Sequence, residues 1–170
     1  MQIIKPFISN EYSYEFKKYG GFHTGVDIDI VNVTALASGV VTNIGKDSDG
    51  TAVTVQFDAN TSLRYLHLKT VSVNTGAIIN KGDTIGAADR FLHFEYIKPT
   101  KGNPAWPVRI GSVTHYKHDP TPIIDGSLVI DNTDAWYNNV NLGIEQFGDY
   151  ADVAVAPSTN EDMIGSGFIR

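Results

Sequence analysis

The chain has 170 residues, 42% of them hydrophobic, which suits one domain of about 100–150 residues with an appendage. It has no cysteine, so disulfides and thiolate ligands are excluded and any metal site must be built from His, Asp and Glu. The net charge of −6 is uneven: residues 1–125 carry 12 basic and 12 acidic side chains, whereas 126–170 carry seven acids against Arg170 alone, which gives no footprint for nucleic acid.

In chain order, residues 1–22 form a mixed, aromatic N-terminal segment ending in Gly20-Gly21. Its MQIIKPFISNEYSYEFKK has no secretory-signal pattern, and no apolar run in the chain approaches the roughly 18 residues of a membrane span. From 23 to 97 the β-branched and aromatic blocks VDIDIV, GVVTNIG, TAVTVQF, SLRYLHL, VSV and RFLHFEYI predict strands. DSDG (47–50), DANT (58–61), NTG (74–76) and NKGD (80–83) supply the turns between them. Helical periodicity is almost absent, so the expected class is all-β. Residues 98–125 hold five of the seven prolines and predict a wrapping loop. Residues 126–170 combine acids with Trp136, Tyr137, Phe147, Tyr150 and Phe168, the composition of an arm that orders against a partner rather than of a linker.

The chemistry-bearing residues are the histidines at 23, 67, 93, 115 and 118. In 22-FHTGVDID-29, His23 and Asp27 can aim at one cation if Gly25 allows a close turn, yet HxxxD by itself is more often packing than chemistry. His93, in 89-DRFLHFEY-96, is by itself read more readily as a satisfied core histidine than as a ligand. His67 alternates with Leu63 and Tyr65, which puts the three on one face, and its bland role is a cross-strand polar partner. His115 and His118, in THYKHDP, are expected at the surface.

Taken together, the surroundings of these residues resemble the lysostaphin-like zinc endopeptidases (LytM-type domains), which cut peptidoglycan cross-links. The resemblance runs from 23 to 95 and rests on pieces in a fixed order: HTGVD, ALASGVVTNIG, TAVTVQF behind Gly50, YLHLK, VSVNTGAIINKGDTIG and LHFE. It implies a compact antiparallel β-sheet or sandwich with long loops over 23–125, preceded by 1–22 and followed by an extended arm, 126–170. It also implies zinc on His23, Asp27 and His93, a set that leaves one coordination position open as catalytic zinc sites do.

The family's acid/base pair falls on His67 and on Phe91, where the first histidine of the family's H-x-H stands. Phe91 would share a face with His93 and Glu95, and phenylalanine can neither donate nor accept a proton. The family's Gly/Ser-rich turn ahead of that motif is reduced to Ala87-Ala88-Asp89-Arg90, so the substrate groove is expected to be reshaped. Glu95 is either a carboxylate behind a ligand histidine or a surface or turn-capping residue, and Tyr19 is either a phenol near the site or a packing residue.

The expected function is a phage virion protein of the tail tip or knob, with catalysis on peptidoglycan weakened or lost. The 126–170 arm would dock on other tail subunits in an oligomeric assembly. Two alternatives remain: a fully active zinc endopeptidase or lysin, and a non-enzymatic bacterial scaffold or regulator.

Overall fold

The computed structural model describes residues 1–9, 21–47, 49–58, 60–110 and 112–130; Tyr19 and residues 131–170 lie outside them. The strands are β1 (Ile3–Lys5), β2 (Val26–Ile28), β3 (Asn32–Thr34), β4 (Gly39–Lys46), β5 (Thr51–Gln56), β6 (Ser62–Val71), β7 (Ile78–Ile79), β8 (Thr84–Lys98), β9 (Pro107–Ile110) and β10 (Val113–His118), followed by the single-turn helix α1 (Thr121–Ile124). Their pairings are antiparallel, in the order β1-β2-β8-β6-β5-β4-β7. The all-β class is therefore observed.

β8 is the hub. One edge pairs with β6, and the other meets β3, β2 and β10 in succession. Alternation does the sorting along these strands. Val26, Ile28, Leu63, Tyr65, Leu92 and Phe94 are fully or almost fully buried in one hydrophobic cluster. The residues between them, Asp27, Arg64, His93 and Glu95, are turned to the opposite face. That face is also shut off from water, since these four residues are themselves buried, as is Lys117, which contacts Glu95.

Several expectations change here. The segment 98–125 is not all loop: β9 and β10 form a hairpin, and β10 also pairs with the end of β8. Pro107 opens β9, where a missing backbone N–H is tolerated. His115 is consequently buried and His118 half-buried, not surface residues. Only the first three residues of VDIDIV form a strand, β2, and β3 begins just after the block; only Val71 of VSV belongs to a strand. The start of β8, with its small Gly86-Ala87-Ala88, has weak strand propensity and is extended because β6 and β3 hydrogen-bond it from both sides. Gly86 is required there, because a Cβ would collide with the Thr70 carbonyl oxygen.

Candidate metal centre

The register of the sheet assembles the centre. Asp27 on β2 lies directly opposite His93 on β8, and His23 precedes β2 by one short turn. His23 Nε2 is 3.1 Å from Asp27 Oδ1 and 3.1 Å from His93 Nδ1, while His93 Nδ1 is 2.9 Å from Asp27 Oδ1. All three residues are buried. Among the described residues they form a group whose ligand atoms all lie within 4.8 Å of one another.

The outer ring nitrogens decide what these atoms present. His23 Nδ1 is 3.0 Å from the Pro6 carbonyl oxygen, and His93 Nε2 is 3.2 Å from Glu95 Oε1. A carbonyl or a carboxylate oxygen only accepts, so each outer nitrogen carries the hydrogen. The inner nitrogens then offer lone pairs, and with Asp27 Oδ1 they form a triangle of three acceptors that calls for a cation. The same surplus of acceptors favours positive charge, whether a metal ion or a proton. Burial opposes charge on His93, but its bonds to Asp27 and Glu95 outweigh that and raise its pKa. Burial likewise opposes ionisation of Asp27, and the two imidazoles overcome it and lower its pKa.

Gly25 serves this centre through space rather than through a special turn conformation. A Cβ at 25 would collide with the Phe94 carbonyl oxygen and stand 2.9 Å from His93 Nε2.

Behind His93 lies a buried ionic cluster. Glu95 Oε1 accepts from Lys117 Nζ at 2.8 Å and from Thr24 Oγ1 at 3.2 Å, and Glu95 Oε2 accepts from Arg64 Nη1 at 2.9 Å. Glu95 is 1% exposed, which rules out the surface and turn-capping roles. Burial alone would raise its pKa; Lys117 and Arg64 together hold it well below the carboxylate range. Buried charges are costly unless paired, and here two carboxylates, Asp27 and Glu95, are matched by two cations, Arg64 and Lys117. Arg64 and Lys117 are the residues that sequence reasoning missed. A charged residue inside the apolar SLRYLHL was a usable signal for Arg64, whereas Lys117 gave none while its segment read as a loop.

On the other side of His93 stands His67. Its ring centroid is 5.4 Å from that of His93 and 5.8 Å from that of Phe91. It does not share the face of Leu63 and Tyr65, as alternation predicted. A bulge shifts the phase of β6 between Leu66 and Leu68, and His67 adopts a left-handed backbone with φ 68°. β8 bulges opposite it: residues 89–92 separate His93 from Ala88, while only residue 67 separates their partners Leu66 and Leu68. The expected short turn is thus an extended bulge. Asp49, His67, Asp89, Arg90 and Phe91 line a cleft of about 160 Å³ there.

The model of peptidase family M23 matches residues 21–107. The structure is similar to that of LytU, 25% identical with a TM-score of 0.54 over 73% of this chain and 84% of that one. It is also similar to the solution structure of lysostaphin, 20% identical with a TM-score of 0.54 over 74% of this chain, and it spans about half (51%) of that chain. The catalytic domain of lysostaphin from Staphylococcus simulans, an antimicrobial peptidase, is 22% identical with a TM-score of 0.50 over 74% of this chain and 90% of that one. At these identities the lysostaphin matches establish a shared fold. No curated protein matches the chain.

Proposed function

Because the chain belongs to peptidase family M23, we propose that it acts on the peptide cross-links of bacterial peptidoglycan through a zinc ion held by His23, Asp27 and His93, with slowed hydrolysis. Members of this family are generally zinc-dependent. The observation that carries the proposal is the triangle of three acceptor atoms 2.9–3.1 Å apart, with both imidazoles set in the tautomer that points a lone pair inward. Such a triangle is one face of a tetrahedron whose centre lies about 2 Å from each corner, the size a zinc site uses. When bound, zinc supplies Lewis-acid activation of water and of the scissile carbonyl.

The chain's own residues do the rest. His67 is the proton-transferring group beside the centre. Phe91 stands where the family resemblance calls for a second imidazole, and its ring can pass no proton and bond no developing oxyanion. Absence of one positioned acid/base group costs about 10²–10⁴ in rate. The setting we favour is a phage tail, with 126–170 docked on a neighbouring subunit; its support is the acidic, aromatic composition of that segment. A second reading, a binding platform that holds peptidoglycan peptides without cutting them, is favoured by Phe91 and by the extended bulge at 89–92.

Zinc titration with purified peptidoglycan as substrate tests the proposal. One zinc per chain should bind, Asp27→Ala should lose it, and new amino termini should be released slowly by the wild type. Zinc bound without any release of termini supports the platform. A folded chain that binds no zinc overturns both.

A further inference from the structure

We propose that Asp47 is the positioning residue of His67: it fixes both the backbone and the imidazole, so that Nδ1 keeps the hydrogen and Nε2 is left to exchange protons at the cleft. This rests on the acid/base role given to His67 above.

The geometry starts in the β4–β5 turn, 47-DSDG-50. Asp47 Oδ1 accepts the backbone N–H of Asp49 at 2.7 Å, and the Asp47 backbone N–H donates to the Gly50 carbonyl at 3.1 Å, so the carboxylate is held on a closed turn. Its other oxygen, Oδ2, accepts the backbone N–H of His67 at 2.6 Å. That residue has φ 68°, a conformation that costs a non-glycine residue about 1–3 kcal/mol unless its surroundings enforce it. The same Oδ2 stands 3.4 Å from His67 Nδ1, with Asp49 Oδ2 farther off at 3.8 Å. Nδ1 is closed off from solvent and makes no hydrogen bond of good geometry among the described residues, so the Asp47 carboxylate, the closer of the two, is the charge it faces. Gly50 lets the turn come this close, since a Cβ there would meet the Leu68 carbonyl oxygen at 2.6 Å.

Asp47 is ionised at neutral pH. Burial raises its pKa, but the imidazole and backbone N–H of His67 and the N–H of Asp49 outweigh that and hold it at about 2. A carboxylate against one ring nitrogen selects the tautomer with hydrogen on that nitrogen. The other nitrogen of the ring is thereby left with its lone pair.

The test is nitrogen-15 NMR of the His67 ring together with peptidoglycan hydrolysis, on zinc-loaded wild type, Asp47→Asn and Asp49→Asn. Asp47→Asn keeps an oxygen for the His67 N–H and removes the charge. The expected result is an Nδ1–H ring in the wild type that moves toward Nε2–H in Asp47→Asn. Turnover should fall about 10–100-fold with KM and zinc content unchanged. An unaltered tautomer in Asp47→Asn overturns the proposal, as does an equal shift in Asp49→Asn, which would trace the effect to charge in general. If the wild type hydrolyses nothing, the functional reading fails, while the NMR still decides whether Asp47 orients the ring.

Discussion

The two sides of the cleft differ in how their side chains are supported. On the metal side both imidazoles have a second partner: His23 is backed by Pro6, His93 by Glu95, and Glu95 in turn by Arg64, Lys117 and Thr24. These contacts are buried in regular sheet or against it, and their charges balance. On the side proposed for proton transfer, His67 sits on a strained bulge against Phe91, with the turn at 47–50 behind it. Metal binding, as proposed, needs ligands held in place within a dry pocket, and all three proposed ligands are there. Proton transfer, as proposed, needs two titratable groups across the substrate, and one of the two positions holds Phe91.

The sharpest way to break this contrast is to supply the missing group. Phe91→His should raise peptidoglycan hydrolysis by about 10²–10⁴ over the wild type, measured as the rate of release of amino termini at saturating zinc. No gain would mean that the bulge at 89–92, rather than the side chain at 91, limits the reaction.

The complete side is attacked by removing one member of its buried cluster. Lys117→Met removes one of the two basic side chains, Lys117 and Arg64, that Glu95 pairs with and should lower stability by about 3–5 kcal/mol in urea unfolding, because a buried charge loses a partner. A loss below 1 kcal/mol would show that Arg64 suffices, and that the metal side is less dependent on its backing than its geometry indicates.

The smallest effect is on the weaker side and depends on pH. Asp47 is held at about 2, against an ordinary 3.8. A depressed carboxylate contributes stability that is present above its ordinary pKa and is lost as pH falls through the folded value. Wild type should therefore exceed Asp47→Asn by about 1–2 kcal/mol at pH 6, with the gap closing towards pH 2. A gap that stays constant over that range would mean that the carboxylate charge does not supply the stability.

The class of the fold and the identity of the candidate ligands are legible in residue order alone. Period-2 alternation along β4, β5, β6 and the second half of β8 announces strands, because a sheet with one oily face imposes that period on its residues. HTGVD and LHFE carry His23, Asp27 and His93 in a context specific enough to point to a metal before any coordinates. The tertiary structure alone decided which residues support them. Lys117 meets Glu95 across 22 residues of chain, and Arg64 meets it across 31. Buried pairings of that kind depend on how strands stack, and no local pattern encodes them. His67 shows the same limit at closer range. Alternation assigns it to the face of Leu63 and Tyr65, but a bulge costs one residue of register and turns the ring to the other side. At that bulge Asp47, from the turn between β4 and β5, accepts the His67 backbone N–H, and Gly50 leaves room for the turn against Leu68.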